Sequence, residues 1–120
     1  MAYVFAPVEG FSAFGSYDGN NSTSGPFVYT GFRPRWILLK AHNVVQNWII
    51  IDTARDIDNP DSSYLLPNDS SYAEGTLSPG VDILSNGFKL RTSSSGWNGS
   101  GQEFLYAAFA EHPLKTSRAR

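Results

Sequence analysis

The chain has 120 residues, with 9 basic and 11 acidic side chains for a net charge of −2, and no cysteine. That length supports one hydrophobic core and excludes a second independent domain, and the missing thiols exclude a disulfide framework, a thiolate metal site and a cysteine nucleophile. Hydrophobic residues at 41% are enough to drive folding, while 54 residues drawn from Gly, Pro, Ser, Asn, Thr and Asp supply turn chemistry on a scale that no helical bundle tolerates.

Short segments with period-2 alternation recur between turn-rich clusters, as antiparallel sheets require. Residues 11–18 (FSAFGSYD) are aromatic and interrupted by Gly15, and the Gly-, Asn- and Ser-rich residues 19–26 form a loop. A strand starts at Phe27, with Phe27 and Tyr29 on one face. The Arg33-Pro34-Arg35 step then bends or breaks the ladder, because Pro34 has no N–H to donate, which places it at an edge or corner. Residues 36–40 (WILLK) and 48–52 (WIIID) are apolar on both faces and are joined by the spacer 41–47, so they read as a hairpin of buried central strands with Trp36 and Trp48 in the core.

An acidic loop follows Asp52, then a short strand around Tyr64-Leu65-Leu66, and residues 67–80 read again as loop. Residues 81–84 and 87–92 make two strands about Ser85-Asn86-Gly87, where Asn-Gly signals a tight turn, with Phe88 and Leu90 on one face and Lys89 and Arg91 on the other. Residues 93–101 (SSSGWNGSG) read as a flexible loop. Residues 103–110 (EFLYAAFA) form the last strand, with Phe104, Tyr106 and Ala108 facing opposite to Leu105, Ala107 and Phe109. Seven or eight strands at this spacing predict an all-β, single-domain, antiparallel two-layer β-sandwich or jelly-roll-like fold over residues 1–112, followed by a basic C-terminal arm over 113–120.

Candidate chemistry is sparse. Asp52, Asp56, Asp58 and Asp61 with Asn59 gather hard oxygen ligands, but Pro60 occupies a ligand position of an EF-hand register, so the loop reads as solvated, with Asx-turns and an Asp52/Arg55 pair. His42 and His112 are the only histidines and belong to no hydrolase, zinc or phosphate-loop motif. No catalytic residue, metal or cofactor is expected. Trp97, set in a glycine-rich loop, is either folded back as a plug or exposed for stacking on a sugar, in which case Asn98 and Tyr72 would complete a glycan platform. The basic residues are scattered apart from Arg33/Arg35 and the terminal Lys115, Arg118 and Arg120, so no face offers the concentrated positive charge that a nucleic-acid backbone rewards. Membrane attachment is not expected either, since no run approaches the roughly 20 apolar residues of a span and residues 1–7 lack the pattern of an export signal.

Gly10-Phe11, then Phe14-Gly15-Ser16-Tyr17-Asp18-Gly19-Asn20, and Gly25-Pro26-Phe27-Val28-Tyr29-Thr30-Gly31-Phe32-Arg33-Pro34 open a pattern that runs along nearly the whole chain. It continues through Leu39-Lys40, Asn47-Trp48, Asp52 and Arg55, then Leu84-Ser85-Asn86-Gly87-Phe88-Lys89-Leu90-Arg91, and ends at Tyr106 and Ala108-Phe109-Ala110-Glu111-His112-Pro113. This pattern resembles a β-rich domain of tailed-bacteriophage structural proteins, where it commonly closes tail or tail-fibre chains. The resemblance implies a virion protein assembled in the bacterial host cytoplasm, and it defines no catalytic residues.

Beginning almost at Met1, the domain is expected to stand alone and to bind the particle through its own surface. The function expected is non-enzymatic, a head decoration (cement) protein bridging subunits of the major capsid protein, with a homo-oligomer, a trimer in particular, protecting free sheet edges. Lys115, Arg118 and Arg120 would then reach an acidic neighbouring subunit. The alternative is a tail or tail-fibre receptor module that binds host glycan through Trp97, Asn98 and Tyr72.

Overall fold

In the computed structural model of the chain, residues 6–53, 61–67, 69 and 74–110 are described. Eight strands form: β1 (Ser12–Asp18), β2 (Phe27–Tyr29), β3 (Pro34–Ala41), β4 (Ile49–Asp52), β5 (Asp61–Leu65), β6 (Glu74–Leu84), β7 (Gly87–Leu90) and β8 (Glu103–Ala110), with a single helical turn, α1 (Ser95–Asn98), before the last. The strands pair antiparallel in the order β1-β8-β3-β4-β5-β6-β7-β2. This run folds over on itself, so that the fold is an all-β sandwich. Tyr17 of β1 and Tyr106 of β8 both meet the ring of Phe88 on β7 edge-on, at 6.3 and 5.6 Å between centroids.

Between the layers lie Tyr17, Val28, Ile37, Leu39, Ile49, Ile51, Val81, Ile83, Phe88, Leu90, Phe104 and Ala108, all buried. Each follows from the two-residue strand period: Ile37 and Leu39 alternate with Trp36 and Leu38, and Phe104 and Ala108 with Leu105 and Phe109. Burying one such large side chain contributes about 1.5–3 kcal/mol, and the stacked Tyr17 and Phe104 rings, 5.1 Å apart and 11° from parallel, add an aromatic pair at the centre.

The turn at Ser85-Asn86 lies where the Asn-Gly signal puts it, and the Asn86 carbonyl accepts the N–H groups of Thr30 and Gly31, tying the end of β2 to it. Four expectations are corrected. Residues 74–80 are not loop but the first part of β6; Thr76 faces Ser63 and Val81 faces Asp61, so the intervening stretch with Pro79 and Gly80 is accommodated as an irregularity in a real strand. Pro34 does bend its ladder, at a register shift between Pro34 and Trp36, but β3 is an interior strand. Residues 95–98 form a helical turn within the expected flexible loop. Trp36 and Trp48 are not core residues: the alternate positions Ile37, Leu39, Ile49 and Ile51 fill the core, leaving Trp36 half-buried and Trp48 41% exposed.

Candidate interaction surface

Residues directly opposite in an antiparallel ladder share a face, which defines the outer surface of β1, β8, β3 and β4 row by row. One row is Ser12, Phe109, Trp36 and Asp52; the next is Phe14, Ala107, Leu38 and Ile50, continued by Leu65 of β5; the third is Ser16, Leu105 and Lys40. An antiparallel sheet with one solvated face normally turns polar side chains outward. Here the middle row is apolar across five strands. The ring of Phe109 gathers its neighbours: Phe14 and Phe11 meet it edge-on at 5.9 and 6.0 Å, and Trp36 leans on it at 5.5 Å.

Beside this aromatic group, Trp36, Leu38, Trp48, Ile50 and Pro67 line an open groove of about 380 Å³. Its lining side chains carry no carboxylate, amide or hydroxyl and are mostly apolar, the indole N–H groups of Trp36 and Trp48 being their only polar atoms, so it suits an apolar group. Charge sits at its margins, where Arg35 Nε donates to Asp52 Oδ1 at 3.3 Å and Lys40 lies 6.0 Å from the Trp48 ring centroid. Arg55, the partner expected for Asp52 from the sequence, lies outside the described residues.

The loop between β3 and β4 is fastened on both sides. Asn43 Nδ2 donates to the Gly101 carbonyl, Asn43 Oδ1 accepts from the Glu103 N–H at 3.0 Å, the His42 N–H donates to the Glu103 carbonyl, and Lys40 Nζ donates to the Gln46 carbonyl at 2.6 Å. Between these ties stand Val44 and Val45, the latter 99% exposed. His42 Nε2 is 3.9 Å from Glu103 Oε2.

The residues singled out from sequence behave differently. Trp97 is a plug: it is 4% exposed, its ring meets Tyr64 edge-on at 5.3 Å, and its carbonyl accepts the Tyr17 hydroxyl at 2.8 Å. Asn98 is fully buried, and its amide is consumed by Asn20, Ser22 and Thr92. The glycan-platform reading of these two is therefore corrected, since a sugar needs an open aromatic face and free amide groups, and neither side chain has them. Tyr72, Lys115, Arg118 and Arg120 lie outside the described residues, as do Asp56, Asp58, Asn59 and His112. The outer apolar face departs from the expectation that strands apolar on both faces are buried on both: Ile37, Leu39, Ile49 and Ile51 are buried, while Trp36, Leu38 and Ile50 on the outer side are only half-buried. The signal for it was the pair Val44-Val45 in a turn, next to strands whose second face had nothing assigned to cover it.

Residues 1–113 match the family described as "Domain of unknown function (DUF7483)", which covers nearly the whole chain, and the protein belongs to that family. No curated protein and no solved structure matches the chain.

Proposed function

We propose that this member of the DUF7483 family is a non-enzymatic structural module of a tailed-phage particle, acting as a decoration protein on the head. The observation that carries the reading is the outer sheet face. A contiguous apolar band over five strands, flanked by an exposed tryptophan and an exposed valine tip, has the composition of a surface covered by protein. The phage setting rests on the sequence resemblance. A cement module repeated over a shell gains from many modest contacts, each on the order of 1,600 Å² in total for a standard interface. In this reading Lys115, Arg118 and Arg120 add an electrostatic contact to the capsid protein.

A receptor-binding place on the tail is the second reading, and one observation favours it. Tyr29, 68% exposed, stands with Phe27 on the same face of the short edge strand β2, and two open rings there offer a sugar the stacking surface that Trp97 does not. Immunogold electron microscopy of intact particles, with antibody against the purified chain, separates the readings. Label spread over the head is the expected result. Label confined to the tail would support the second reading, and unlabelled particles would overturn both.

A further inference from the structure

We infer that the partner seated on the outer sheet face is a second copy of this chain, with the Val44-Val45 tip of one copy lodged in the groove between Trp36 and Trp48 of the other. The inference rests on the reading of this face as a protein interface and names its occupant.

The tip carries the first part of the argument. A valine with 99% of its surface open, on a loop fastened by Asn43 on one side and by the Lys40–Gln46 bond on the other, is a preorganised knob. Little conformational freedom remains to be lost when it docks, which is the condition under which a small apolar contact becomes a useful one. The groove is its complement. Some 380 Å³ lined by Trp36, Leu38, Trp48, Ile50 and Pro67 accommodates two branched aliphatic side chains, and its mostly apolar lining matches their lack of polar atoms.

Area completes the argument. Val45 at 99%, Leu105 at 48%, Phe11 at 44%, Trp48 at 41% and Val44 at 39% exposure are spread over the face and tip, a wider apolar surface than the groove alone and one of the kind that a standard interface of roughly 800 Å² per partner covers. A smaller occupant, such as a lipid tail or a short peptide, would cover the groove but leave Val45 and Leu105 in water. A second copy brings a knob and a groove together and accounts for both. Exchanged reciprocally within a pair, the contact closes by two-fold symmetry; passed head to tail, it closes where the rotation between copies completes a ring.

The test uses the purified full chain. Sedimentation equilibrium from about 1 to about 100 µM is expected to give a mass of two or three chains, and Val45→Asp is expected to weaken the association at least about tenfold. Position 45 is open to solvent, so far-UV circular dichroism and the melting temperature of that variant should match those of the parent. Because the chain has no cysteine, Val45→Cys and Pro67→Cys each introduce one thiol. Mixing these two variants under mild oxidation should give a disulfide between copies, which a Ser24→Cys control on a distant exposed loop should not.

A mass of one chain at every concentration overturns the inference, as does association that Val45→Asp leaves unchanged. A monomeric chain that still labels phage particles would overturn this inference and leave the proposed function standing. A self-associating chain dissociated by Val45→Asp but absent from particles would support the inference and overturn the proposed function.

Discussion

Asn20 and Asn98 hold each other reciprocally across 78 residues of sequence: the Asn20 N–H donates to Asn98 Oδ1 at 2.9 Å, and Asn98 Nδ2 donates back to Asn20 Oδ1 at 2.9 Å. The same Nδ2 also donates to the carbonyls of Ser22 and Thr92, so its two hydrogens are shared among three acceptors. One buried amide thus fixes the 19–25 loop against α1. Asn98→Ala removes the bonds that the Asn20 N–H and the Ser22 and Thr92 carbonyls make to this side chain, while Asn20 Oδ1 keeps the Ser22 N–H, and should cost about 3 kcal/mol, read as a lower urea midpoint.

Asn98→Asp should be worse at neutral pH, because a carboxylate oxygen would replace a donor opposite three acceptors. Burial and those acceptors would raise its pKa above the unfolded value. The folded state would then bind the proton more tightly than the unfolded chain, so this variant should gain stability as pH falls from 7 toward 4. Urea midpoints that stay flat or fall relative to the parent over that range would contradict the arrangement.

Tyr17 ties the same region to the core, with its ring on Phe104 and its hydroxyl on the Trp97 carbonyl. Burial raises the phenol well above its ordinary value. Tyr106 is raised by burial as well. Above a pH of about 10 the unfolded chain releases these protons while the folded chain keeps them. The stability associated with them is therefore complete below that pH and is lost as pH climbs beyond it. Phenolate absorbance from Tyr17 should appear only together with unfolding, and Tyr17→Phe should flatten the alkaline fall while costing about 1 kcal/mol at neutral pH through the lost hydrogen bond.

Gly87 begins β7 where β2 crosses closest. A Cβ there would be driven onto the Val28 carbonyl oxygen, a backbone atom in a paired strand that has no free direction to retreat. Gly87→Ala should destabilise the domain by at least about 2 kcal/mol and should speed amide exchange in residues 27–29 more than in β3. Equal exchange in both strands would show that the approach is relieved elsewhere.

Strand β8 and the Ser85-Asn86 turn are legible in the sequence because their signals are local: eight consecutive residues, aromatic-rich and free of Gly and Pro, in one case, an Asn-Gly pair in the other. The first half of β6 was not, since Gly75, Pro79 and Gly80 are breakers unless a partner strand tolerates an irregularity, and that partner, β5, is supplied by the fold. Trp97 stayed open between plug and platform for the same reason: its packing partner Tyr64 and the acceptors of Asn98 come from distant segments. The outer face is not legible from sequence, because residues 36–39 are apolar on both parities and composition alone does not say which face the second layer covers.

Ile37 and Leu38 are adjacent on β3 and point to opposite faces, which makes them a paired test of what each face is for. Ile37, 1% exposed, packs between the layers, and Ile37→Ala should cost about 2–5 kcal/mol through lost burial and an unfilled cavity. Leu38, half-buried, lines the outer groove, where truncation opens a site already in contact with water. Leu38→Ala should therefore lower the stability of the isolated chain by only about 1 kcal/mol. Its larger effect should fall on self-association: the dissociation constant from sedimentation equilibrium should rise severalfold for Leu38→Ala, measured at a temperature where both variants remain folded. If Leu38→Ala instead destabilises the chain as much as Ile37→Ala and leaves self-association unchanged, the outer face is a structural surface and the docking role assigned to it is wrong.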